Sequence, residues 1–156
     1  ALAAADDVRV RVRASALNHL DLWVVKGVPG IRIAPGWILG SDCAGVVDAV
    51  GAQVTSVRVG DRVIVNPGVS DRTCEYCRTG DNPLCLKYAI LGEHRPGTLA
   101  DYLVVPAANV LPIPVSVPFA TAAAFPLTTL TAWRMVVTQG RVRIVRRLAI
   151  ESFLAA

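Results

Sequence analysis

Three of the four cysteines of this chain, Cys74, Cys77 and Cys85, fall inside the fifteen residues from Asp71 to Cys85. Thiols three residues apart in a turn can point at one centre, which suits a small tetrahedral metal ion. Asp71 precedes Cys74 by the same interval, so the run reads D-x2-C-x2-C-x7-C. A carboxylate oxygen binds zinc at about 2.0–2.2 Å, and the spacing predicts a zinc held by Asp71, Cys74, Cys77 and Cys85. Glu75 and His94 compete with Asp71 for the fourth place and rank below it, His94 on spacing. Four protein ligands leave no position for water or substrate, so such a site would be structural. The rival reading is a surface loop with free or disulfide-bonded cysteines. Clustered thiols in a chain without a secretion signal favour the metal.

A second group of polar residues, Asn18-His19-Leu20-Asp21, lies among apolar neighbours just after a predicted strand. Such a place could line a pocket. By residue type alone the better reading is a capped helical turn with His19 satisfied locally. Further on, Gly40-Ser41-Asp42-Cys43-Ala44-Gly45 is a run of small residues that permits close backbone approach. Cys43 has no nearby partner and is expected to be a small core residue.

These groups need a scaffold, and the composition allows one. The 156 residues are 53% hydrophobic and 18% charged, which fits one globular domain and excludes a disordered chain. Residues 1–133 hold 11 basic and 11 acidic side chains, so the net charge of +4 resides in residues 134–156, where Arg134, Arg141, Arg143, Arg146 and Arg147 face only Glu151. Without interleaved aromatic residues this basic tail is expected to be a solvated face rather than a nucleic-acid site. Residues Tyr102–Trp133 carry no charge, yet their five prolines exclude a membrane helix. The missing leader pattern predicts a cytoplasmic, reducing setting.

Alternation of Val8, Val10 and Val12 with Arg9, Arg11 and Arg13 predicts an opening strand with one buried face. Ala14–Gly27 reads as a turn or short helix. Further strands are expected at Val46–Val50, Arg62–Val65 and Leu99–Val105, with an extended segment at Val110–Pro114. Ser116 is placed as the cap of a helix from Val117 towards Ala124, and Pro126 as the start of another through Val137 that ends near Gly140. Short strands divided by Gly and Pro turns, followed by helices, indicate a small β-barrel with appended helices.

With these segments in view, Val8 to about Val137 resembles the GroES-like catalytic domain of the medium-chain dehydrogenase/reductase superfamily, the zinc-type alcohol dehydrogenases and their quinone-reductase-like relatives. The resemblance is carried by Ala14–Trp23 (ASALNHLDLW), Leu39–Val47 (LGSDCAGVV), Gly60–Gly68 (GDRVIVNPG), the CEYC loop, Leu91–Gly97 (LGEHRPG) and Phe125–Trp133 (FPLTTLTAW). It implies a β-rich α+β fold, a GroES-like partly open β-barrel with C-terminal helices, over residues 1–138, with residues 139–156 an unassigned basic tail. The family's structural zinc loop has four cysteines; this chain matches the last three and carries Asp71 in the first place.

The resemblance also implies that the ligands of a catalytic zinc are replaced, by Asn18 before His19-Leu20-Asp21 and by Ser41 before Asp42. That departure matches the zinc-independent branch, which reduces activated double bonds with NADPH or NADH. In that branch Asn18 and Thr129 would lie beside the nicotinamide, with Asp21 near them and either solvent or His19 as proton source. None of the twelve glycines forms a G-x-G, so a dinucleotide-binding Rossmann turn is not part of this chain. The expectation is a portion of an NAD(P)-dependent oxidoreductase acting on quinones and enones or on alcohols and carbonyls, inactive as a free chain. The competing expectations are a zinc-stabilised interaction module that self-associates through the uncharged 102–133 surface and, behind it, a nucleic-acid binder acting through the arginine tail.

Overall fold

A computed structural model of the chain describes residues 2, 4–27, 29–31 and 33–142. Arg143, Arg146 and Arg147 of the predicted basic tail lie outside the described residues. The described elements in order are β1 (Asp7–Ala16), α1 (His19–Lys26), β2 (Asp42–Val50), β3 (Arg62–Val65), β4 (Gly68–Val69), α2 (Glu75–Arg78), β5 (Ala89–Ile90), β6 (Tyr102–Pro106), β7 (Val110–Pro112), α3 (Phe119–Ala123) and α4 (Pro126–Trp133). A π-helical turn, Arg134–Gln139, continues α4.

The principal sheet is antiparallel and runs β6-β1-β2-β3-β7. Its two edge strands are consecutive in sequence, joined only by a 3-10 turn at Ala107–Asn109. A connection that short forces the sheet to curl until its edges approach, which gives the half-barrel. The side chains turned inward by the strand alternation fill it: Val8, Val10, Val47, Val63, Val65, Leu103 and Val105 form one buried cluster with Cys43 and Leu91. A smaller cluster, Ala44 with Ala122 and Ala123, seats α3 on the outside of β2. Arg62 fastens the same helix from β3, donating from Nη2 to the Val117 carbonyl at 2.6 Å and lying over the Phe119 ring at 3.8 Å from its centroid. β4 and β5 form a separate two-stranded ribbon at the base of the cysteine-bearing loop.

Four expected boundaries are corrected. The second strand starts at Asp42 rather than Val46, because Asp42, Cys43, Ala44 and Gly45 pair with Ala16, Ser15, Ala14 and Val12 across β1. The residues here are buried between neighbouring strands. The strand expected from Leu99 starts at Tyr102; the amides of Gly97, Thr98 and Leu99 bond instead to the carbonyls of Ile38, Gly40 and Leu39. The helix expected behind Ser116 starts at Phe119 with Pro118 as its cap, since the Val117 amide first closes a turn onto Pro114 and a residue before proline avoids the helical region. The helix from Pro126 is α-helical only to Trp133 before it widens. Among the described residues no helix is long and apolar enough to cross a membrane.

Candidate active-site cleft and metal loop

The polar group after the first strand sits where β1 ends and α1 begins. Asn18 is the N-cap of α1, in extended conformation, and its backbone amide donates to Asp21 Oδ2 at 2.7 Å. The other oxygen of Asp21 accepts the Gly40 amide at 2.9 Å. Asp21 is therefore buried with both oxygens held by backbone N–H groups, which ties the first turn of α1 to the loop before β2. Gly40 is required there: its φ is +92°, and a Cβ would stand 2.6 Å from Thr98 Oγ1. His19 is exposed beside Asn18 and packs its ring on Trp23, centroids 5.4 Å apart.

Asn18 Nδ2 donates to Asp42 Oδ2 at 3.0 Å. Asp42 Oδ1 accepts the Leu127 amide at 2.9 Å, in the first turn of α4. Thr129, the other predicted cofactor contact, is half-buried two residues further along that helix. The structure thus links Asn18, through one carboxylate, to the helix that carries Thr129. Burial pushes the Asp42 carboxyl above its ordinary value, a tendency opposed by the hydrogen bonds from Asn18 and Leu127. Ser41 turns away: its hydroxyl donates to the Leu91 carbonyl at 2.9 Å in the core.

Gly40 and Asp42 were read from residue types only as members of a small-residue run and Thr98 not at all, although all three bond into the network around the cap of α1. The available signal was a lone acidic residue in a run of small residues entering a strand.

In the cysteine loop, α2 follows Cys74 directly and turns Cys77 back beside it, with the two sulfurs 3.5 Å apart. A 3-10 turn, Asn82–Leu84, then delivers Cys85 to the same place. The ligand atoms of Asp71, Cys74, Cys77 and Cys85 all lie within 4.8 Å of one another. Tetrahedral zinc with Zn–S of about 2.3 Å would set its sulfurs roughly 3.8 Å apart, so three thiols and a carboxylate at these separations fit the ion. Asp71 Oδ1 accepts the amides of Thr73 and Cys74, both at 3.0 Å, and these bonds hold its carboxyl well below the usual carboxylate range. The Cys85 sulfur accepts the amides of Asp71 and Lys87 at 3.3 and 3.4 Å, the kind of outer contact that orients a ligand. The competing candidates stand outside this group: Glu75 is exposed, and His94 Nδ1 accepts the Ile90 amide.

Arg134 Nη1 bonds Asp81 Oδ1 at 2.8 Å and closes the cysteine-bearing lobe against the end of α4. An open groove of about 650 Å³ runs between them, bordered by Arg72, Tyr88 and Trp133. Its lining includes neither Asn18 nor Thr129.

The alcohol dehydrogenase GroES-like domain family matches residues 4–115. The chain is 40% identical over 126 residues to an L-threonine 3-dehydrogenase of Anaeromyxobacter sp. (strain Fw109-5), covering 76% of this chain and 35% of that protein. It is 39% identical over 113 residues to the starvation-sensing protein RspB of Escherichia coli (strain K12), covering 72% and 33%. Among solved structures, an NAD-dependent alcohol dehydrogenase superposes with a TM-score of 0.84 at 53% identity, over 88% of this chain and 40% of the other. Galactitol-1-phosphate dehydrogenase from Escherichia coli gives 0.79 at 31% identity, over 89% and 40%. The chain therefore spans between a third and two fifths of the length of these relatives. Curled sheet, outer helices and matched residues agree: the chain belongs to the alcohol dehydrogenase GroES-like domain family of the medium-chain dehydrogenase/reductase superfamily.

Proposed function

We propose that this chain is the substrate-side portion of an NAD(P)-dependent oxidoreductase that works without a catalytic metal, and that Asp71, Cys74, Cys77 and Cys85 hold a structural zinc. The observation that carries the first part is the Asn18–Asp42 hydrogen bond. At the place where the resemblance implies a zinc-ligating residue, this chain has an amide whose nitrogen is committed to a buried carboxylate. A neutral amide paired in this way orients a substrate or a carboxamide by hydrogen bonding.

When bound, the nicotinamide supplies or accepts a hydride. The chain's own residues do the rest. Asn18 and Thr129 flank the nicotinamide face of the cleft, and Asp21 holds the turn that presents Asn18. Polarising donors in the cleft stabilise the negative charge that develops on a carbonyl oxygen. His19, exposed at the start of α1, and solvent are the two sources of the proton. The far wall of the cleft comes from beyond the matched residues, in keeping with the fraction of each relative that this chain covers, and the free chain is inactive.

The resemblance, with Asn18 and Ser41 in the places of the catalytic-zinc ligands, favours quinones and enones as substrates. The similar NAD-dependent alcohol dehydrogenase favours a second reading, in which an alcohol and a carbonyl are interconverted. One experiment separates them: a chimera carrying residues 4–139 in place of the matched part of the 53%-identical dehydrogenase, assayed with NADPH and NADH against quinones, enones and secondary alcohols. Turnover of a quinone or enone by a chimera holding a single zinc per chain, lost with Asn18→Ala, supports the first reading. Turnover of alcohols alone supports the second, and activity that needs a second zinc per chain overturns the metal-free cleft. Native mass spectrometry tests the other site: one zinc per chain is expected, and a chain purified metal-free would remove it.

A further inference from the structure

Asp42 is 1% exposed, and a carboxylate so deeply placed must find donors inside the fold. It finds them on two helices that are far apart in sequence. Oδ2 accepts Asn18 Nδ2 from the cap of α1, 24 residues away, and Oδ1 accepts the Leu127 amide from the first turn of α4, 85 residues away. Both donors sit at helix N-termini, where unsatisfied N–H groups and the positive end of the dipole favour an anion. The backbone that carries this carboxylate is held as well, because Thr98 Oγ1 donates to the Asp42 backbone carbonyl at 3.0 Å.

We propose that Asp42 is the positioning residue of the cleft: by joining the cap of α1 to the start of α4 it fixes Asn18 relative to Thr129. The inference rests on the reading that these two residues flank the nicotinamide, but the anchoring itself needs no cofactor. A carboxylate only accepts hydrogen bonds, so Asn18 must turn its nitrogen inward, and that direction defines the orientation of its amide.

Reciprocal substitution tests the direction of the bond. Asp42→Asn keeps an oxygen for the Leu127 amide but sets a second NH2 against that of Asn18, two donors facing each other. The double variant Asn18→Asp with Asp42→Asn restores one donor and one acceptor, now reversed, and aspartate caps a helix as well as asparagine does. Hydrogen exchange read by NMR on the 156-residue chain follows each proton. In the wild type, one Asn18 Nδ2 proton is expected to exchange roughly tenfold more slowly than the side-chain amide of the exposed Asn82, the ratio a net hydrogen bond supplies. Asp42→Asn abolishes that protection while the Leu127 amide stays slow. The double variant brings back a protected side-chain amide proton, at position 42.

Asn18 protons that exchange as fast as those of Asn82 in the wild type overturn the proposal, and so does a double variant no better protected than Asp42→Asn. Should Asp42→Asn fail to fold, the wild-type rates and the double variant still decide. Protection of this kind in a chain whose chimera binds no nicotinamide cofactor upholds the anchor and overturns the functional reading.

Discussion

The cysteine loop and the polar network at α1, β2 and α4 both fix short, irregular segments, and they do so with different chemistry. In the loop, four ligand atoms from residues 71–85 converge from a single stretch of sequence. In the cleft, the partners of one carboxylate come from positions 18 and 127. The loop concentrates its stabilisation in one proposed ion, which offsets the ordering cost of a stretch containing only one turn of α-helix and one of 3-10 helix. The cleft distributes it over several hydrogen bonds, each worth about 0.5–1.5 kcal/mol net, or about 1.5–3 when one partner is charged. The first arrangement depends on a few ligands within one segment; the second depends on the tertiary fold being already in place.

Breaking the loop should give the largest effect. Removal of zinc by a chelator, or Cys74→Ser, is expected to release residues 70–88 into fast exchange while β1, β2 and β3 stay protected, since structural zinc in small sites contributes on the order of 10 kcal/mol of folding energy. Hydrogen–deuterium exchange by mass spectrometry measures this, and a lobe equally protected with and without metal would refute the zinc.

Breaking the cleft comes next. Asp42→Ala strands the Asn18 side chain and the Leu127 amide and is expected to cost roughly 2–4 kcal/mol in urea unfolding, the penalty for orphaned buried partners of a charged group. A loss under about 0.5 kcal/mol, the ordinary range for surface substitutions, would show the cleft to be held by packing alone.

Asp71→Cys sharpens the comparison from the other side. A fourth thiolate suits zinc better than the harder carboxylate, so competition with a chromogenic chelator should show affinity raised by about tenfold or more. Unchanged affinity would mean that Asp71 does not touch the ion.

The smallest effect is a difference in pH dependence. The Asp42 carboxyl is raised in the folded chain by burial, so the folded state binds its proton more tightly than the unfolded state does. The stability associated with that group is fully present below the ordinary value of 3.8 and declines as pH rises through the folded value. Wild-type stability minus that of Asp42→Asn should therefore fall across this window and level off above it. A flat or rising difference in urea midpoints would contradict the direction of the shift.

Parts of the molecule that depend on near neighbours were legible in the residues. The Val8-Val10-Val12 alternation marks β1 because strand side chains alternate faces whatever the strand pairs with. The D-x2-C-x2-C-x7-C spacing marks the loop because its ligands meet through local turns. Asn18 was legible as a helix cap for the same reason. Where a partner lay far along the chain, the reading stopped short. Asp42–Gly45 read only as a run of small residues ahead of a strand until β1 supplied its hydrogen bonds, and Leu99 read as the start of a strand although its amide belongs to the 38–40 loop.

By itself, then, the sequence determined the half-barrel's strand alternation, the family motifs and the convergence of Asp71, Cys74, Cys77 and Cys85, since these rest on propensity and contacts within a few turns of chain. Only the tertiary structure decided that Asp42 joins two helices, that Asp21 is committed to backbone amides and that Ser41 faces the core. A buried polar group takes whichever donor the fold brings within about 3 Å, and no local pattern records which one that is.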